Sequence, residues 1–253
     1  MERGKAMRRC LLFLLCLFSC SLILASFDPF SYPVGTVIID AGHGGHDPGA
    51  VATWSFAGGT IYERDLTLDI AKRLYALLRV SHPELEVLMT RNNDTFVSLA
   101  DRCTMAYSLP LRPKTSALFV SIHVNSAASR SAKGFEILTK RQSKQVVFLD
   151  EKTPAENIAS FSSHTTPSLN RLLNHRNLLV AATFEQTMSE NLITAVNRGV
   201  KERDLWVLNS VRMPAVLVEV GFLSNEEDAR NLISPQYRQR LAQVLLLAIE
   251  RCL

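Results

Sequence analysis

Apolar positions along the chain follow two rhythms that take turns. Short runs in which nearly every position is apolar occur at 36–40 (TVIID), 85–90 (LEVLMT), 117–124 (ALFVSIHV), 134–140 (GFEILTK) and 215–222 (AVLVEVGF). Such β-branched runs suit strands covered on both faces, as in a parallel sheet. Between them the spacing lengthens to that of a helix. In 63–80, Leu66, Ile70, Leu74, Leu77 and Leu78 recur at three- and four-residue intervals, which lines one helical face. Residues 98–109 predict a second helix with Ser98 as N-cap, and 188–200 a third, stopping near Gly199. The stretch from Ser234 predicts a last helix, with Pro235 in the first turn, where a missing N–H breaks no bond. The alternation predicts an α/β fold, a sheet flanked by helices. Residues 141–187, polar and punctuated by Pro154 and Pro167, fit the rhythm poorly and read as an insertion.

The first 26 residues stand apart. A basic stretch precedes an apolar run from Cys10 to Ala25, the pattern of a secretory signal. The run is shorter than the roughly 20 residues that usually cross a bilayer. Ala25 and Ser26 offer a small-residue processing site, the stretch ending at Cys20 resembles a lipoprotein signal, and an uncleaved anchor is the third reading. Each places the remaining domain, 27–253, outside the cytoplasm, in the periplasm or cell envelope. The segment also changes the meaning of the charge. It carries a net +3 of the chain's +4, so the remainder is near neutral and implies no nucleic-acid partner. Three of the five cysteines lie in it as well. Cys103 and Cys252 remain without C-x-x-C spacing, so neither a thiolate metal site nor a disulfide framework is indicated, although one bridge between them stays open.

Candidate chemistry gathers at the ends of the predicted strands. Residues 37–50, VIIDAGHGGHDPGA, stop an apolar run at Asp40 and set His43 and His46 among four glycines. In open α/β sheets ligands collect beyond the carboxyl ends of strands. Glu63 opens the first helix, His123 ends the third strand with Asn125 two residues on, and Glu219 closes the last strand. Two imidazoles and a carboxylate can hold a catalytic zinc while leaving a fourth position for water. A second carboxylate is what metal-assisted hydrolysis needs as general base. Each residue alone has an ordinary reading: a loop histidine, a core histidine, a first-turn glutamate favoured by the helix dipole. Glu219 is harder to explain away, because a carboxylate among Val216, Leu217, Val218 and Val220 is costly to bury unpaired. Serine acylation is disfavoured: no Ser-x-x-Lys occurs, and Lys114–Ser116 reads KTS where K-T-G is required.

Taken together, these stretches resemble the zinc-dependent N-acetylmuramoyl-L-alanine amidases of the Amidase_3 family, bacterial cell-wall hydrolases. The likeness rests on VIIDAGHGGHDPGA, YERDLTLDIAKRL, VLMTRNNDTFVSLADR, LFVSIHVNSA, KGFEIL and PAVLVEVGFLSNEEDARNL, in the family's order. It implies a single α/β domain with a mixed, mostly parallel sheet, one zinc held by His43, Glu63 and His123, and Glu219 as the catalytic carboxylate. The implied substrate is peptidoglycan or its lipid-linked precursor. The implied setting is wall remodelling, turnover or daughter-cell separation. Asn125 is expected to bind substrate or orient His123, and His46 to sit on the rim. Arg91 and Arg102 are expected to form structural salt bridges near Asp94 and Asp101. Some relatives acting in cell division carry, where 141–187 lies, a helix whose glutamate blocks the zinc until a divisome or activator protein withdraws it. Glu156 is the residue that could do so here, and a surface loop is the simpler reading. The alternatives are a non-catalytic peptidoglycan-binding module of this fold and a peptidase cutting the stem peptide. The four filled positions argue against the binding module.

Overall fold

The computed structural model describes residues 27–253. The expectations for residues 1–26, Cys20 included, lie outside them. No helix among the described residues is long and apolar enough to cross a membrane.

Eight strands form: β1 (Val34–Ala41), β2 (Val51–Trp54), β3 (Gly59–Tyr62), β4 (Glu86–Met89), β5 (Ser116–Asn125), β6 (Phe135–Lys140), β7 (Asn197–Arg203) and β8 (Ala215–Phe222). The helices are α1 (Glu63–Ser81), α2 (Leu99–Tyr107), α3 (Ala155–Phe161), α4 (Thr166–Asn191), α5 (Trp206–Ser210), α6 (Glu226–Ile233) and α7 (Pro235–Glu250). Six strands make one sheet in the order β4-β1-β5-β8-β6-β7, and β2 and β3 pair as a separate hairpin. All neighbours in the large sheet run parallel except β6 and β8. The mixed, mostly parallel sheet is therefore as expected.

Strand alternation divides the core. Val37, Ile39, Val120, Ile122, Val216 and Val218 face the larger cluster, built with Leu74 of α1, Phe184 of α4 and Leu245 of α7. Ile38, Phe119, Leu138 and Leu217 face a smaller one under α2 and α5. Each fully buried Leu or Phe here contributes about 2–3 kcal/mol of burial free energy. Towards the site, residues of the second set's parity become polar: Asp40, Ser121, His123, Glu136 and Glu219. The small core thus gives way to a polar site on the same face.

Helix ends follow local chemistry. Ser98 caps α2 by accepting the Asp101 N–H, and Ser234 caps α7 by accepting that of Tyr237. Two expectations need correction. The predicted helix over 188–200 is the last turn of α4 followed by β7. The Leu192 N–H closes α4 on the Met188 carbonyl, and the β-branched Ile193, Thr194, Val196 and Val200 favour extended chain beyond it. The stretch 141–187 is only partly irregular. From Thr166 onward it is α4, which buries Val180, Ala181 and Phe184 in the larger core and packs on β6 and α7. A satellite core of Phe30, Val146, Phe148, Phe161, Leu169 and Leu173 anchors the rest. Cys103 and Cys252 are both free thiols.

Candidate metal centre

His43 lies just past β1 with φ 61°, a left-handed backbone that non-glycine residues seldom adopt. Two buried arginines hold that turn. Arg91 donates from Nε to the Ala41 carbonyl at 2.9 Å and from Nη2 to the Gly42 and Arg64 carbonyls, both at 2.8 Å. Arg102 donates from Nη1 to Ala41 O and from Nη2 to His43 O, both at 2.7 Å. The carboxylate that pairs with Arg102 is Asp40, at 2.6 Å. The expected partners Asp94 and Asp101 are thereby corrected: Asp94 binds the Gly45 N–H and Asp101 binds Ser98. Both arginines are structural, as expected, but they clamp the metal-loop backbone through its carbonyls.

Asp40 receives further bonds from Thr90 Oγ1 and Ser121 Oγ, each at 2.6 Å. Burial pushes its carboxyl up, yet Arg102 and the two hydroxyls outweigh that and hold it below the usual aspartate value. The chain then turns on glycine at two positions that matter. A Cβ on Gly42 would stand 2.5 Å from His123 Cε1, and one on Gly49 would stand 2.6 Å from Glu63 Oε2 and His43 Cδ2.

Within this frame His43, Glu63 and His123 converge, each with a ligating atom within 4.8 Å of the others. His43 Nε2 lies 3.2 Å from Glu63 Oε1, and His123 Nδ1 lies 2.9 Å from the same oxygen. Asp47 Oδ2 takes His43 Nδ1 at 2.8 Å, which frees Nε2 to face the cluster; a metal-ligating histidine is commonly oriented in this way. Glu63 is buried at the start of α1 and accepts the Val124 N–H on Oε1 and the Ala50 N–H on Oε2. Burial raises its carboxyl, but His123 and His43 overcome this and hold it well below the ordinary range. Burial lowers both histidines, and Glu63 more than offsets it, leaving each above the usual imidazole value. This buried, doubly tethered carboxylate facing two imidazoles fits a divalent zinc in donor type and number.

Glu219 is the register partner of His123 across β5 and β8. Its Oε2 is buried without a hydrogen-bond partner. Burial, with Glu63 and Glu136 adding to it against His123 and His43, pushes the carboxyl up to about 7.

The other expected residues divide. His46 is exposed with its ring 4.1 Å from that of Phe96, on the rim as expected. Asn125 Oδ1 accepts the Ser126 N–H, and its carbonyl accepts that of Leu223, so it shapes the turn after β5. Glu156 is not brought to the cluster. It lines a cleft with Arg112, Lys114 and Thr115 at the start of β5, whereas His123 is near that strand's end. Roughly 20 Å of strand separates the two places, so the expected reach of Glu156 to the metal is corrected. Sequence reasoning overlooked Asp40 as the keystone of the arginine clamp, although an Asp ending an apolar run marked the position.

Residues 37–251 match the sequence profile of the Amidase_3 family, described as N-acetylmuramoyl-L-alanine amidase. The chain belongs to that family. Among Amidase_3 relatives, a probable N-acetylmuramoyl-L-alanine amidase AmiB of Haemophilus influenzae is 30% identical over 236 residues, 87% of this chain and 52% of its own length. The N-acetylmuramoyl-L-alanine amidase LytC of Bacillus subtilis is 33% identical over 210 residues, 83% of this chain and 34% of its own. The chain thus spans about half or less of these two relatives. Among solved Amidase_3 structures, the catalytic domain of CwlV from Bacillus (Paenibacillus) polymyxa superposes with TM-score 0.65 at 28% identity, over 86% of this chain and 97% of that one. An N-acetylmuramoyl-L-alanine amidase of Clostridium difficile gives TM-score 0.66 at 26% identity, over 86% and 96%.

Proposed function

We propose that the protein is a zinc-dependent N-acetylmuramoyl-L-alanine amidase that hydrolyses the amide between muramic acid and L-alanine in peptidoglycan. The observation that carries this reading is the His43–Glu63–His123 cluster with the unpartnered carboxylate of Glu219 one strand away. When bound, zinc polarises the scissile carbonyl and acidifies the attacking water. Glu219, whose Oε2 has no hydrogen-bond partner, would take a proton from the attacking water and deliver it to the departing L-alanine amine. Asp47 fixes the tautomer of His43, and Glu63, tied by two backbone N–H groups, holds its place without reorganising. The basic-then-apolar residues 1–26 suit export to where that substrate lies.

Digestion of purified peptidoglycan with zinc supplied or chelated, followed by mass analysis, tests the reading. Free stem peptides with an L-alanine amino terminus should appear only with zinc. Products cut within the stem peptide would replace the amidase with a peptidase, and intact polymer would leave a binding module. His123→Ala should lose both bound metal and activity while keeping the far-UV circular dichroism of the parent.

A further inference from the structure

Strand β7 departs from regular pairing beside the site. Phe135 of β6 pairs with Asn197 and Ile137 with Val200, so Arg198 and Gly199 together face the single residue Glu136. The extra residue is a β-bulge, a device that re-aims side chains. Gly199 takes φ 76°, and its N–H is bound by Asn197 Oδ1 at 2.8 Å. In a regular strand, residues three apart point to opposite faces. Here the bulge brings Arg198 and Lys201 onto the same atom, Glu136 Oε1, with Lys201 Nζ at 2.7 Å. Glu136 pairs directly with Glu219 across β6 and β8, so both carboxylates share the face on which the site opens.

The charges do not cancel. Two cations meet one carboxylate, and neither is bonded to another acid among the described residues. Their side chains stay 33% and 28% exposed, and Arg198 is steadied over the Phe222 ring at 4.9 Å. A purely structural partner for a buried glutamate needs one cation. The second cation is left partly open to solvent beside Glu136, the cross-strand partner of Glu219.

We infer that Arg198 and Lys201 are specificity-determining residues that bind a carboxylate on the peptide portion of the substrate. This rests on the amidase reading and assigns the side of the scissile bond that lies over β6 and β7. Both cationic groups meet at Glu136 Oε1 on β6, the strand next to β8. They lie between one and two strand spacings, about 5–10 Å, from Glu219, and two to three extended residues span about that distance. The recognised carboxylate therefore belongs to the second or third residue beyond the amide that is cut.

The test uses two synthetic fragments, an N-acetylmuramoyl tripeptide with its carboxylates free and the same molecule with them amidated, hydrolysed by the zinc-loaded full chain. The unaltered protein should favour the acid by about tenfold or more in kcat/KM, as charge-assisted hydrogen bonds allow. In Arg198→Gln and Lys201→Gln that ratio should fall towards one, through KM more than kcat, and Arg198→Lys should keep most of it. Lys201→Glu should reverse the preference. Because Lys201→Gln and Lys201→Glu leave Glu136 its Arg198 partner, they keep the test open if Arg198→Gln unfolds. An unchanged ratio in both Lys201 variants, or equal hydrolysis of the two fragments by the unaltered protein, overturns the inference alone. Failure to cleave either fragment, with purified peptidoglycan also left intact, overturns the amidase reading itself.

Discussion

Two acids on one face of the sheet, Asp40 buried and Glu219 half-buried with one oxygen out of water, behave in opposite ways. Asp40, on β1, has three strong donors on its two oxygens, and its negative charge is locked in place. Glu219, on β8, has a buried oxygen with no donor at all, and Glu63 and Glu136 oppose its charge while His123 and His43 favour it. Burial alone would raise both. What separates them is the supply of partners, and that supply divides structure from chemistry. A saturated carboxylate fixes the turn that carries His43, while an unpartnered one is free to serve as the base of the proposed reaction.

The difference can be broken most severely at Glu219. Glu219→Gln keeps the shape and removes the base, so turnover should fall by about 10²–10⁴ while bound zinc stays. Steady-state assays beside metal analysis check this; loss of zinc would place Glu219 among the ligands. At the other acid the damage should fall on stability. Arg102→Met strands the charge of Asp40 and should cost about 3–5 kcal/mol in denaturant unfolding, and adding Asp40→Asn should recover part of it. Equal cost in single and double variants would show that Asp40 is not what Arg102 serves.

Acid should sharpen the same contrast. The folded-state value of Asp40 lies below its unfolded value of about 3.9. Its contribution is therefore complete above the unfolded value and is lost as pH falls through the folded one. Melting temperature should decline below about pH 4, and Asp40→Asn should flatten that limb. The smallest effect is expected at Glu156. Placed at the far end of β5, it should change activity by less than about twofold when replaced by Ala, with stability shifted by no more than about 0.5 kcal/mol. A several-fold rise would restore the gating role that its position argues against.

The strand over 215–222 and the helix over 63–80 were legible because burial on defined faces leaves a period in the sequence. The same logic failed at 188–200, where the apolar spacing carried past the end of α4 into an edge strand only partly buried. Segment 141–187 misled for a related reason. α4 carries Asn170, Asn177 and Thr187 at buried positions, so its polar composition hid a core helix. Of the site, His43, Glu63, His123 and Glu219 were visible as polar residues at element ends. Glu136, Arg198 and Lys201 were not, since their meeting depends on a register irregularity that no local pattern records. Glu156 could not be placed from the sequence, because order along the chain does not say at which end of the sheet a segment packs.

The parallel pairing of β1, β5 and β8 has a further consequence, for the time at which the site is assembled. His43 and Glu63, His123, and Glu219 come from three separate stretches of the chain, and the parallel strands β1, β5 and β8 cannot be joined by local hairpins. No short fragment contains the site, and a growing polypeptide has none until β8 has emerged and docked. Long-range contacts of this kind form late and cooperatively. On the proposed reading, a metal held by His43, Glu63 and His123 would stabilise the native state by mass action. A chain whose β8 has not docked lacks Glu219 at the site, so on the proposed amidase reading completion of the fold limits when cleavage can begin.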